Sequence, residues 1–381
     1  MFRALAILAA AGLMGVACGT ANQVNRTDIP PLGGAPATYD QSLVAPSAHR
    51  LYIADATDLG VDVFDVSQPQ PRYLTTVKTG KAPKGLAAAP DLHKVFAGLD
   101  GGAVAVIEAD PTSARVDTLL TKVQTTAKIN VDLLEYDPVD RLVIAASGDD
   151  GLLTEIDAIR DVPIGHLSLP VGLEQPRYNH PDRLVYLTNL KKNEVYAIDP
   201  RSEKLVHTWP VGVPCGATGL AIDASGSQAV IGCTDPKVAY SLAWSIHDGR
   251  VSQTLTELAD VDQAIYDPTA RRFFLAGAYS GKSAVGVYTD NPIQFQAVKI
   301  TTSDSRAVAY DSAHAILYTP GRHPGYVGLL SFTVPVSEAR LPSFVTALAY
   351  LLILLAVGVA VWYFGRRRAQ ARRVAGRPIY S

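Results

Sequence analysis

The sequence predicts an all-β fold, a seven-bladed β-propeller ectodomain, followed by a single C-terminal transmembrane helix. Three observations carry this. A polar turn followed by a short apolar run recurs along the chain, with first apolar residues Leu51, Val95, Leu142, Leu184, Ala229, Phe273 and Ile316, at steps of 44, 47, 42, 45, 44 and 43 residues. A fixed period in this range marks a repeat architecture, and four short strands per period make a propeller blade. The 17 Tyr against nine Phe and two Met, with many Val, Ile and Thr, suit pleated, half-buried surfaces better than helices. Finally, residues 344–364 form an uncharged stretch rich in Leu, Val, Ala and Ile, long enough at about 1.5 Å per residue to cross a hydrocarbon core of roughly 30 Å.

The chain begins with a segment, residues 1–21, that reads as a secretory signal peptide. Arg3 supplies the positive end, Ala4 to Ala17 the apolar region, and Gly19 and Ala21 the small residues before a cut. Cys18, after Val16 and Ala17, leaves a second processing route open, lipidation at a bacterial lipobox, although Gly15 stands where Leu is expected. Residues 22–36 form an N-terminal segment. The propeller is assigned to 37–333 and a linker to 334–343.

Within the repeats, Arg50–Asp55, Val61–Val66 and Tyr73–Thr79 read as three successive strands of the first blade. Arg183–Asn189, Asn193–Asp199 and Lys204–Trp209 read the same way in the fourth, whose inner strand begins near Gln175. Asp137, Asp267 and Asp311 precede Pro or Ser in the turn before the second strand, where Asp accepts backbone N–H bonds. His49, His93 and His314 occupy the same repeat position in that turn, and a regularity of this kind marks a turn preference rather than a metal site. Gly98–Gly102 and Ser147–Gly151 are turns at the other blade end. The seventh repeat lacks a good fourth strand, because Pro335 weakens Thr333–Val336. Part of Gln23 to Gly34 is therefore expected to pair with residues 325–332 and close the ring.

The C-terminal residues 365–381 carry six Arg and no acid, which makes the tail cytoplasmic by the positive-inside rule, with Trp362 and Tyr363 as interfacial aromatics. All 36 acidic residues lie between the two hydrophobic ends. The exported part is thus acidic, which disfavours nucleic acid and other polyanions. Cys215 and Cys233 flank a hairpin turning at Asp223–Gln228, so they approach each other. In an oxidising compartment they form a disulfide, the alternative being two buried free thiols.

The runs Arg50-Leu-Tyr-Ile-Ala-Asp55 and Arg183-Leu-Val-Tyr-Leu-Thr-Asn189, each followed by a Val-x-Val-type strand ending in Asp, resemble YVTN-repeat β-propellers over about residues 37–333. Repeats five to seven keep only the apolar core of the motif. The resemblance implies a seven-bladed, exported, surface-attached protein. Some members hydrolyse small lactones, but no catalytic residue carries over by motif.

Aligning the repeats places Asp40, Lys84, Asp132, Gln175, Thr218, Asp262 and Arg306 where each inner strand begins, at one mouth of the axial channel. Converging carboxylates there suit a hard cation such as Ca²⁺. Lys84 and Arg306 suit an anionic ligand or simply pair with the Asp residues, and a solvated polar rim capping the inner strands accounts for the same residues. No zinc, haem, quinone or phosphate-loop motif occurs, so no cofactor is expected beyond that cation. The sequence thus points to a membrane-anchored, extracytoplasmic binding or scaffold module with a protein partner in the cell envelope. A propeller lactonase-like hydrolase using the channel mouth is the alternative.

Overall fold

A computed structural model of the protein describes residues 24–30, 38–301, 305–323, 326–334 and 362–363. The signal peptide and Cys18, the linker after Val334, the transmembrane stretch apart from Trp362 and Tyr363, and the Arg-rich tail lie outside the described residues. The chain divides into two units, Met1–Val336 and Ser337–Ser381. In the second unit Trp362 and Tyr363 are helical. Among the described residues, no helix is long and apolar enough to cross a membrane.

The first unit contains seven four-stranded antiparallel sheets, arranged as the blades of a propeller. The first blade runs Tyr39–Ala45, Arg50–Asp55, Gly60–Asp65 and Arg72–Lys78 from the axis outward, within one residue of the strands read from sequence. The remaining inner strands are Pro83–Ala89, Leu133–Asp137, Leu173–Asn179, Ala217–Ile222, Ala259–Asp267 and Ala309–Asp311. Each sheet is covered on both faces, so the second strands are apolar throughout instead of alternating. Leu51, Tyr52, Ile53 and Ala54, for example, are all fully buried. Leu51 and Ile53 pack with Tyr318 and Leu329 of the seventh blade, whereas Tyr52 and Ala54 pack with Val95, Ala97 and Leu99 of the second. Seven such clusters, each shared by two adjacent blades, run round the ring.

The N-terminal segment closes the ring. Val24–Asp28 pairs antiparallel with Tyr326–Thr333, from Val24 opposite Phe332 to Asp28 opposite Gly328, and supplies the outer strand of the seventh blade. The seventh blade therefore takes a strand from before the 37–333 stretch, within the expected Gln23 to Gly34. Ile29, just beyond this strand, is buried in the cluster between the seventh and first blades. Fastening the last blade with a strand from the chain's start leaves its outer edge paired and closes the ring through backbone hydrogen bonds.

The turns follow their residue chemistry. Asp137 Oδ1 accepts the N–H groups of Val139 and Asp140, Asp267 Oδ1 that of Ala270, and Asp311 Oδ1 that of Ala313. His49 and His93 hold the left-handed position that ends a 3₁₀ turn, at φ 51° and 52°. His314 does not share it. Ala315 takes the left-handed conformation there, and His314 Nδ1 lies 2.6 Å from Asp311 Oδ2. The Cys215–Cys233 disulfide is present and buried, joining the start of the Ala217–Ile222 strand to the end of Gln228–Cys233. Gly85 shows how tightly the inner strands abut. A Cβ there would strike the Asp132 carbonyl, to which the Gly85 N–H donates at 2.5 Å.

Candidate functional site: the acidic channel mouth

Five of the seven rim residues gather at one mouth of the axial channel. Asp40 lies on the first inner strand and Lys84 on the second, 4.0 Å apart between Lys84 Nζ and Asp40 Oδ2. Asp132 immediately precedes the third inner strand and is fixed by its own backbone, its N–H donating to Ala146 and its carbonyl accepting from Gly85. Asp262 lies on the sixth. Arg306, before the seventh, places Nη1 3.9 Å from Asp262 Oδ2 and Nη2 3.1 Å from Asp260 Oδ2.

The other two do not offer their side chains to a ligand. Gln175 is buried, and its Oε1 accepts the N–H of Leu220 at 2.8 Å and of Ala264 at 3.3 Å. Thr218 is also buried, and its hydroxyl donates to the Val261 carbonyl at 2.9 Å. Both are staples between blades. Gln41 and Gln263 do the same work: their Oε1 atoms accept from Leu86 N–H at 3.1 Å and Val308 N–H at 2.8 Å, each joining one inner strand to the next blade. A buried amide oxygen in this place satisfies a backbone donor that an inner strand leaves unpaired.

Four acids that sequence alignment did not single out complete the mouth. Glu174 stands beside Gln175 and fills the fourth blade's place. Asp100 and Asp149 come from the turns between second and third strands, and Asp260 from the start of the sixth inner strand. The carboxylates repel one another through a partly enclosed space, and their proton affinities record it. Enclosure first, and then Asp132, Asp262 and Asp100, push Asp40 up to about 7 against the opposing effect of Lys84. Enclosure followed by Asp132, Asp262, Asp40 and Asp149 pushes Glu174 up to about 8. Asp132 and Asp262 are raised as well, chiefly by enclosure, with Lys84 and Arg306 respectively pulling the other way. Lys84 and Arg306 thus oppose the raised proton affinities of a mouth that gathers seven carboxyl groups.

Below the mouth the axis is bridged. Arg177 pairs with Glu135 at 3.0 Å and donates to the Ala264 carbonyl at 3.0 Å, spanning the third, fourth and sixth blades. Gln263 Nε2 reaches the Ser42 carbonyl of the first blade at 3.4 Å. The cavity bounded by Gln41, Leu86, Leu134, Glu135, Arg177 and Gln263 holds about 180 Å³, below the range of roughly 300–1,000 Å³ typical of small-molecule pockets. Polar bridges thus cross a channel whose walls also carry Leu43, Val44, Ala87 and Ala88, and the mouth is an acidic surface over that floor.

Apolar side chains flank it. Ile129, Val171 and Val213 lie in the successive loops that lead into the third, fourth and fifth inner strands, and all three are exposed, Ile129 by 54%.

No family model matches the sequence, and no curated protein matches it. Among solved structures the chain is similar to a chain of the crystal structure of the mitotic checkpoint complex, with a TM-score of 0.65 and 14% sequence identity, over 87% of this chain and 99% of that one. At that identity the likeness establishes the seven-bladed propeller alone. A shape matched by 1590 solved chains specifies an architecture and no single activity.

Proposed function

We propose that this propeller is an extracytoplasmic binding module of the YVTN-repeat kind, anchored by residues 344–364, which docks an envelope protein through its acidic channel mouth. The observation that carries the reading is the adjacency of two surfaces: a rim of seven acids facing two bases, and exposed Ile129, Val171 and Val213 beside it. A bare ion needs only the carboxylates. Apolar residues exposed next to a charged surface suit a macromolecule that buries them while its Lys or Arg side chains meet the acids. The envelope location rests on the apolar 344–364 stretch, the Arg-rich tail and the disulfide.

The test uses the full-length protein, tagged at its C-terminal tail and solubilised in mild detergent. A partner should co-purify with the native chain and be lost from a chain carrying Asp132→Asn, Glu174→Gln and Asp262→Asn together. Asp91→Asn, at the opposite blade end, should retain it. Equal recovery with all three chains would remove the mouth from the interaction, and recovery of the protein from the soluble fraction would remove the anchor.

A hydrolase reading draws on one observation, that Asp40 and Glu174 titrate near neutrality as a general acid or base requires. The small bridged cavity opposes it. Lactone hydrolysis by the native chain that the triple variant lacks would reverse the preference.

A further inference from the structure

A second acidic cluster lies away from the channel, in the first blade. Asp55 ends the second strand, Asp58 sits in the turn that follows, and Asp62 is in the middle of the third strand. All three are buried, with 2%, 8% and 0% of their surfaces exposed. One carboxylate oxygen from each lies within 4.8 Å of the other two. Hydrogen bonding accounts for only part of this set. Asp55 Oδ1 accepts the N–H groups of Thr57 and Asp58, at 2.8 and 3.0 Å, and Asp62 Oδ1 accepts the Thr76 hydroxyl at 2.6 Å. Asp58 Oδ2 and Asp62 Oδ2, both sealed from solvent, have no donor at all. Lys78 is the base that reaches this turn, and its Nζ donates to the Asp58 backbone carbonyl at 2.9 Å instead of to a carboxylate.

We propose that Asp55, Asp58 and Asp62 form a Ca²⁺ site at the seam where the propeller ring closes. Three buried carboxylates that bring one oxygen each within 4.8 Å of the others, two of them also holding a sealed oxygen with no donor, are what a hard cation takes as ligands. With Lys78 counted, the ionised set carries two surplus negative charges, which a divalent ion cancels. The donor set selects the kind of ion: carboxylate oxygens suit a hard cation, and Ca²⁺ accepts flexible oxygen geometry where Mg²⁺ demands a near-ideal octahedron. Zn²⁺ prefers nitrogen and sulfur, and neither is in this set. Asp55 and Asp62 share the sheet face of Leu51, Ile53 and Phe64, which packs with Ile29, Tyr318 and Leu329. The ion therefore sits on the side of the first blade that meets the seventh, the blade fastened by the N-terminal strand. Loading it strengthens ring closure where Ca²⁺ is plentiful, outside the cytoplasm.

The experiment uses the full-length protein, stripped with a chelator and titrated with CaCl₂ alone. Uptake is measured by equilibrium dialysis of radioactive calcium and stability by the unfolding midpoint. One ion should bind in the range of about 0.1–1 mM typical of extracellular modules. The midpoint should rise by ~3 °C at about ten times the dissociation constant. Asp62→Asn should abolish both effects and, with the repulsion relieved, unfold at a higher temperature than the calcium-free native chain. If Asp62→Asn fails to fold, Asp58→Asn in the turn serves in its place. The Asp132→Asn, Asp262→Asn chain should bind the ion as the native protein does. Absence of uptake at about 5 mM, or uptake kept in the Asp62 and Asp58 variants, overturns the site. Uptake lost only in the Asp132→Asn, Asp262→Asn chain overturns it too and moves the ion to the channel mouth.

Discussion

Gln175 separates a ligand-binding rim from a structural one, so its removal is the most informative single perturbation. Gln175→Leu keeps most of the side-chain volume and deletes the acceptor shared by the Leu220 and Ala264 N–H groups. Both donors are buried, and leaving a buried donor unpaired costs about 1–3 kcal/mol. The 3.3 Å bond to Ala264 contributes less than the 2.8 Å bond to Leu220. Gln175 Nε2 has no partner of its own, so losing it returns some of the cost. The net destabilisation is then about 2–3 kcal/mol. With a slope of about 3 kcal/mol per molar urea, the unfolding midpoint should fall by roughly 0.7–1 M. Trp244 and Trp209, in the fifth and fourth blades on either side of the staple, report the transition by fluorescence. Partner capture by the folded variant should equal that of the native chain. A midpoint within about 0.2 M of native, or capture lost without a change in midpoint, would refute the staple and restore Gln175 to the binding surface.

Three other outcomes are expected. Replacing Cys215 and Cys233 together by Ala frees a loop of 18 residues and should cost about 3 kcal/mol, read as a lower urea midpoint that reducing agent no longer changes; a midpoint equal to native would show that the bond adds nothing. Glu155, 3% exposed, is pushed up to about 8 by burial and then by Glu203, Asp199 and Asp137. The folded state therefore holds its proton more tightly than the unfolded state, and the stability this lends is complete below about pH 4.5 and lost as pH rises through 8. Glu155→Gln should erase that slope and be the more stable chain at pH 9 by on the order of 2–4 kcal/mol, whereas parallel pH profiles would place Glu155 in contact with water. Deleting residues 24–28 bares the edge of the Tyr326–Thr333 strand, so the truncated protein should self-associate on gel filtration, and a monomer with native melting would contradict the closure.

The blade count, the ring closure and the disulfide were legible because each rests on spacing. Period fixes the blades, a missing outer strand demands a substitute, and two Cys astride a hairpin turn must meet. The rim was legible only in part, for a local reason. Inner strands are irregular at their first residues, with register shifts between Tyr39 and Ser42, Pro83 and Leu86, Leu173 and Pro176, Ala217 and Leu220, and Ala259 and Gln263. A bulge breaks the two-residue alternation, and a slip of one residue turns a side chain to the other face. Alignment therefore selected Gln175 where Glu174 faces the other rim carboxylates. Asp100, Asp149 and Asp260 were missed because their convergence belongs to the ring and not to any one repeat. The Asp55, Asp58 and Asp62 cluster was hidden differently: its members read as two strand residues and one turn residue until all three are seen to be buried together.

The two ends of the propeller hold their charges in different ways, and this supports the proposed docking at the channel mouth better than acidity does. At the end of the Asp-Pro and His turns, acids meet bases within and across blades: Arg50 with Asp117, Lys94 with Asp161, Arg141 with Asp91 and Arg271 with Asp290, at 2.7–3.1 Å. Tyrosine hydroxyls reinforce several of them, Tyr52 donating to Asp117, Tyr136 to Asp91 and Tyr266 to Asp290. Those charges are neutralised inside the protein and hold adjacent strands and turns together. At the channel mouth Arg306 holds Asp260 at 3.1 Å, but the Lys84–Asp40 and Arg306–Asp262 contacts stretch to 4.0 and 3.9 Å, and enclosure among the other carboxylates pushes Asp40 up to about 7 and Glu174 up to about 8. Carboxylates held close against their mutual repulsion are relieved when an external cation arrives, so the proposed partner would supply at the mouth what the opposite end has already gained from itself.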